Sequence, residues 1–212
     1  MKEESKKILD ETIVRYAALS SVKDDIKNAF DALYTAFSNG KRLYLCGNGG
    51  SAADCEHIAG ELLKCFKKKR ELSADYKRKL CDFGEMGKEL SERLEGGLPV
   101  VSLCGHPAFS TAYANDNTPK FVFAQQVSVY AEEGDVLIAI STSGNSENCL
   151  YAAIAAKAKG AKVVFLGGGN GGKIKALADV SIIVPERETF KVQELHLPVY
   201  HCLCAMLESE LF

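Results

Sequence analysis

The sequence predicts an α/β fold, a doubly wound parallel sheet with helices on both faces. Three features predict it. Apolar segments of five to seven residues alternate with longer segments of helical period. The short segments are apolar throughout rather than at every second position, as in strands buried on both sides. Gly- and Ser-rich stretches follow the first, third and fourth of them, at the strand ends where such sheets bind ligands.

Two helices open the chain, over Glu4–Ala18 and from Ser21, read as an N-cap, to Asn39, with Gly40 placed to end the second. Val22, Ile26, Phe30, Leu33 and Phe37 recur at helical spacing and give that helix a buried face. "RLYLC" (42–46) is the first strand and Ala52–Phe66 the next helix. "PVVSLC" (99–104), "DVLIAI" (135–140), "AKVVFLG" (161–167) and "VSIIVP" (180–185) complete five strands. Helices are expected over Glu147–Lys159, briefly near Lys173–Ala178, and over Val192–Glu210. Residues 67–98 break the alternation; they are highly charged and read as one or two surface helices, either a solvated hairpin or a lid or subunit contact.

At 212 residues the chain suits one substantial core, so 1–212 is read as a single domain carrying N-terminal helices (1–40) and a helical insertion (67–98). Apolar residues make up 47% and charged residues 25%, as in ordinary globular proteins. The net charge of -2 argues against a general nucleic-acid or membrane binder. No apolar run approaches the ~20 residues of a membrane span, and "MKEESKKILDE" has no signal-peptide core, so a cytoplasmic location is expected. The eight cysteines form no CxxC pair. Cys46 falls in a strand and Cys55, Cys65, Cys202 and Cys204 in helices, which reads as free thiols.

Two loops offer anion sites. "STSGNSEN" (141–148) opens a helix, and Ser141, Thr142, Ser143 and Ser146 supply four hydroxyls where a plain cap needs one. "GNGGSAAD" follows the first strand; Gly49 and Gly50 permit close backbone approach, and Asn48 and Ser51 add donors. Neither loop matches a nucleotide motif and neither holds a lysine, so neutral donors and helix dipoles would hold a small sugar phosphate, with no nucleotide cofactor.

Just beyond the glycine turn, His57 and Glu61 are four residues apart on one helix face. The last helix adds Gln193, His196 and His201. These groups suit proton transfer beside a carbonyl or a Zn²⁺-like ion bound by His nitrogen with Glu and Gln oxygen. Gln193 and His201 are ~12 Å apart along a straight helix. Joining them requires distortion, for which Pro198 supplies a cause, or donors from different subunits.

"CGNGGSAADCEHIAGEL", "ISTSGNS", "GGK" (171–173) and "VQELHLPVYH" together resemble the sugar isomerase (SIS) domain and, within it, the phosphoheptose isomerases, over Leu43–Phe66 and Pro99–Phe212. The resemblance implies a flavodoxin-like five-stranded sheet, a homotetramer with intersubunit active sites, and isomerisation of sedoheptulose 7-phosphate to a mannoheptose 7-phosphate. It implies Asn48, Gly49, Gly50, Asn115, Asp116, Ser141, Thr142, Ser143, Ser146 and Gln193 as substrate contacts. It implies Glu61 and His201 as the catalytic pair, and His57, Glu61, Gln193 and His201 as zinc ligands of the metal-bearing members. The chain departs from that pattern in the long 67–98 segment, in the "GHPAFSTAYANDNTPK" loop and at Pro198. Rival readings are a non-catalytic module resembling the replication-initiator-associating branch, which lacks the Glu and the late His, and an isomerase of another phosphosugar.

Overall fold

A computed structural model describes residues 1–212. Its sheet has five strands, β1 (Leu43–Cys46), β2 (Val100–Ser102), β3 (Val136–Ser141), β4 (Lys162–Gly168) and β5 (Val180–Val184). All neighbours are parallel, in the order β2-β1-β3-β4-β5, with Leu43 level with Val100 on one side and Val136 on the other. Their unbroken apolar character follows from burial on both faces. Leu43, Leu45, Val136, Ile138, Val164 and Leu166 point into one core; Tyr44, Cys46, Leu137, Ala139, Val163 and Phe165 point into the other.

The first core is closed by α1 (Glu3–Arg15), α2 (Lys23–Ser38), α3 (Gly50–Leu63) and α9 (Thr189–Leu211). The second is closed by α7 (Val122–Tyr130) and α8 (Glu147–Ala158). A hairpin of α4 (Ala74–Cys81) and α5 (Gly84–Arg93) occupies the charged insertion, as expected, and α6 (Pro107–Asp116) precedes α7. No helix is long and apolar enough to cross a membrane.

Three expectations change. Ser21 does not cap α2: a 3₁₀ segment, Ala17–Val22, runs straight into the helix, and no side chain caps it. The stretch "GHPAFSTAYANDNTPK" is largely helical, and α6 and α7 are both additional to the expected elements. α6 buries no residue, so it carries no amphipathic signal. Cys65 lies beyond α3, which ends where Lys64 turns extended. Gly40 does end α2, with φ +69°. All eight cysteines are free thiols.

The charged stretch after α3 is not wholly solvated. Arg70, the last residue of "KKKR", is 0% exposed and pairs with Glu208 of α9 (Nε–Oε1 2.8 Å), itself 1% exposed. Arg70 also donates to the carbonyls of Leu62 (2.7 Å) and Glu61 (3.0 Å), ending α3. The Glu208 carboxylate further accepts the N–H groups of Phe66, Lys67 and Lys68 at 2.8, 2.8 and 3.0 Å. Burial pushes its pKa up, but the Phe66 and Lys67 amides and Arg70 outweigh this and hold it below the ordinary value.

Glu208→Ala is expected to cost about 3–5 kcal/mol in urea unfolding, because it strands a buried guanidinium and three amides. A carboxylate with a depressed folded pKa stabilises fully above its unfolded pKa, about 4.3, and progressively less as pH falls through the folded value. Wild-type stability is therefore expected to drop below about pH 4.3, and Glu208→Gln to remove part of that acid dependence.

Candidate active site

The sheet order reverses between β1 and β3, so the loops leaving these strands diverge and open a crevice at the carboxyl ends. The β1 loop is Gly47–Gly49 and the β3 loop is Thr142–Ser146. They are tied across the crevice by two reciprocal amide bonds. Asn48 Nδ2 donates to Asn148 Oδ1 (2.9 Å), and Asn148 Nδ2 donates to Asn48 Oδ1 (2.8 Å). Asn148 was not among the expected contacts, although it closes the "STSGNSEN" segment.

The serine loop is shaped for more than helix capping. No side chain caps α8; the Ser146 hydroxyl instead meets that of Ser141 at 2.9 Å. The helix therefore presents uncapped amides and a partial positive charge beside exposed Ser143 and half-buried Thr142. Gly144 makes the turn possible: its φ is +67°, and a Cβ there would sit 1.9 Å from the Gly171 carbonyl oxygen. The β4 loop is stitched beneath, with Ile174 N–H donating to Gly144 O (3.0 Å) and Lys173 N–H to Asn145 Oδ1 (3.2 Å). The glycine turn behaves alike: α3 starts without a side-chain cap after Gly49, at φ +55°. Buried Ser51 is covered rather than presented.

On α3, His57 Nε2 lies 3.3 Å from Glu61 Oε1, as the i, i+4 spacing requires. From α9, His201 Nε2 comes to 3.4 Å of the same His57 nitrogen, and the two rings meet edge to face. Glu61 and His201 thus flank one imidazole. Burial and the neighbouring His57 hold the His201 pKa below its ordinary value, with Glu61 pulling the other way. Lys64 is the other partner of Glu61, at 3.2 Å. Beside His201 a groove of about 320 Å³ runs between α1 and α9, lined among others by Glu11, Arg15, Phe66, Lys67 and Pro198.

Behind His57 stand two residues absent from the expected set. The buried Tyr200 hydroxyl lies 3.1 Å from His57 Nδ1 and donates to Asp54 Oδ1 at 3.2 Å. Asp54 was legible as the i−3 neighbour of His57 on the same face of α3. Tyr200, in an apolar stretch of α9, carries no such signal.

Not every expected residue converges. The Gln193 amide lies over Gly50, where a Cβ would come within 2.6 Å of its Nε2. Gln193 thus serves the glycine turn rather than the His57–His201 contact of the same chain. α9 continues unbroken through Pro198. Asn115 and Asp116 end α6, exposed and bonded to each other at 2.9 Å. Their neighbour Ala114 lines a shallow pocket with Asn48, Gly49 and Asn148, away from Glu61 and His201. His196 is fully buried, and burial, only partly offset by the Gly167 backbone, pushes its pKa down to about 4.

Zinc can be tested against these donors. Adjacent ligands of a tetrahedral zinc with bonds of ~2.0–2.1 Å are roughly 3.3 Å apart, close to the 3.3 and 3.4 Å contacts at His57 Nε2. Two imidazole nitrogens and a carboxylate oxygen facing one another also call for a proton or cation between them. Donor type and pair spacing fit. The contacts are pairwise, each to His57 Nε2, and do not close around an ion within one chain, so a complete site needs a donor from elsewhere.

A parallel sheet with uncapped helix N-termini at its switch point and an acid–imidazole cluster on the adjoining helices is the architecture of a SIS-type protein. The chain belongs to the SIS domain family, whose model matches residues 11–77 and 93–168. The interruption falls on the α4–α5 hairpin. The chain is similar to phosphoheptose isomerase of Nitratiruptor sp., 42% identical over 174 residues, covering 82% of this chain and 80% of that one. It is 37% identical to phosphoheptose isomerase of Leptospira biflexa over 97% of this chain and 93% of that one. A solved phosphoheptose isomerase from Neisseria gonorrhoeae superposes with a TM-score of 0.75 at 30% identity, over 94% of each chain.

Gly144→Ala is expected to cost at least about 1–2 kcal/mol for the left-handed backbone alone, plus the overlap with Gly171. Thermal unfolding should move down by several degrees, and the affinity for phosphate-bearing ligands, read by calorimetry, should fall with it.

Proposed function

We propose that this chain is an aldose–ketose isomerase converting sedoheptulose 7-phosphate to D-glycero-D-manno-heptose 7-phosphate through an enediol. The observation that carries the reading is the meeting of Glu61 and His201 on either side of His57, with two uncapped helix N-termini at the crevice of the same fold. The relatives named phosphoheptose isomerase support the choice of sugar.

In the opened ketose, C1 loses a proton to a base and C2 gains one, while a proton passes from O1 to O2. The C2 carbonyl becomes a hydroxyl and C1 becomes the aldehyde. Glu61 and His201 are the pair that moves these protons. The neutral donors Asn48, Ser141, Thr142, Ser143 and Ser146, with the uncapped amides of α3 and α8, hold the phosphate end. His57, Glu61 and His201, completed by Gln193 from a neighbouring copy, would hold Zn²⁺, which when bound would supply Lewis-acid chemistry to the sugar.

Two lengths support an active site shared between subunits. Glu61 lies roughly 16 Å down α3 from Gly50, and Gln193 about 12 Å along α9 from His201. A turn and a carboxylate so far apart serve one small sugar most simply when neighbouring copies supply one of each, as in the expected homotetramer. Exposed Phe83, Met86, Leu90 and Leu94, at helical spacing along α5, are apolar enough to be covered in such an assembly. Free, buried thiols support the cytoplasmic assignment, since reducing compartments preserve them.

A coupled assay over heptose, hexose and pentose phosphates tests the reading. Turnover is expected with sedoheptulose 7-phosphate, with loss on chelation and return with Zn²⁺. Glu61→Gln and His201→Gln are each expected to lower kcat by about 10²–10⁴-fold. Co-expressed with a Ser143-loop variant inactive by itself, Glu61→Gln subunits should recover part of the activity if sites are shared. Absence of turnover on every sugar would favour a binding module.

A further inference from the structure

We propose that Tyr200 is a positioning residue for His57, fixing the tautomer in which Nδ1 carries the proton and Nε2 presents a bare lone pair to Glu61 and His201. The tautomer itself follows from the hydrogen bonds; only its effect on turnover rests on the isomerase reading.

Asp54 directs the Tyr200 hydroxyl. One of its carboxylate oxygens, Oδ2, is buried without a hydrogen-bond partner, and the other accepts only the Tyr200 hydroxyl, at 3.2 Å. A carboxylate is acceptor-only, so the phenol's single proton lies toward Asp54. Turning that proton to His57 would leave the carboxylate with no partner at all. Glu61, by contrast, has Lys64 at 3.2 Å on its other oxygen, Oε2, and is partly exposed, so its carboxylate keeps a donor when His57 Nε2 carries no proton. At the pH of the test, below the ordinary tyrosine pKa of about 10, Tyr200 is a neutral phenol. With its proton committed, its oxygen can only accept at the 3.1 Å contact, and His57 Nδ1 must donate. His57 Nε2 is then left unprotonated, 3.3 Å from Glu61 Oε1 and 3.4 Å from His201 Nε2. That is the state able to take up a proton or a cation. The packing agrees: the Tyr200 ring meets both His57 and His201 edge-on, with centroids 5.4 and 5.0 Å away, so it is held from both sides.

The test is ¹⁵N NMR of ring-labelled histidine in the full chain, freed of metal by chelator, at about pH 8, above the ordinary imidazole titration. His57→Gln assigns the signals. The wild type is expected to show a pyrrole-type Nδ1 and a pyridine-type Nε2 at His57. Tyr200→Phe removes the acceptor, and the ring should revert to a protonated Nε2 facing Glu61. Asp54→Ala frees the phenol proton to turn to Nδ1 and should give the same reversal. It also keeps the test intact should the Phe variant not fold. In turnover, Tyr200→Phe should lower kcat by roughly 10–100-fold with KM little changed. A wild-type His57 protonated at Nε2, or an unchanged tautomer in a folded variant, overturns the proposal. Because the spectra need no substrate, a chain without isomerase activity would leave this result readable.

Discussion

The buried Arg70–Glu208 pair is the constraint on which the rest of the site depends. It joins the two helices whose side chains must meet. Arg70 closes the end of α3 at the carbonyls of Glu61 and Leu62, while its partner carboxylate sits on α9, two turns beyond His201 on the same face. The same carboxylate gathers three consecutive amides of the intervening chain. The position of Glu61 relative to His201 is therefore set by charged hydrogen bonds in a dry environment, where small displacements are costly.

At the crevice, the design is the opposite: neutral groups and backbone do the work. The loops of β1, β3 and β4 are joined by the Asn48–Asn148 amides, the Ser141–Ser146 hydroxyls and the Gly144 turn. None of these brings a fixed charge to the crevice; in the proposed reading, oriented amides and helix dipoles attract the anion. The chain thus separates holding from chemistry. Uncharged donors line the crevice, and the His57, Glu61 and His201 cluster is kept along α3 and α9.

The sheet was legible because its strands are apolar on both faces, which no surface segment of this chain imitates. The helices of the first core were legible from spacing such as Ile26, Phe30, Leu33 and Phe37. α6 was not, since it buries nothing and its composition reads as a turn. α7 is short and rich in Val and Phe, which favour strands as much as helices. Of the site, His57 and Glu61 were readable from their spacing, whereas the meeting with His201 depends on how α9 packs across α3. Arg70 was hidden by its neighbours: three lysines before it make a run that reads as solvated, and only tertiary contact with Glu208 singles it out. Tyr200 was hidden by its apolar surroundings, where an aromatic residue reads as core.

The mutual amide pair at the crevice has a chemical consequence for the lifetime of the protein. Asn48 is followed by Gly49, an Asn–Gly step of the kind that closes readily to a succinimide and opens as aspartate or isoaspartate. While Asn148 grips the side chain, its carbonyl carbon is kept from the next backbone nitrogen. Once deamidation occurs, a carboxylate replaces the amide at the mouth of the crevice, and the repulsion it introduces is directed at any incoming phosphate.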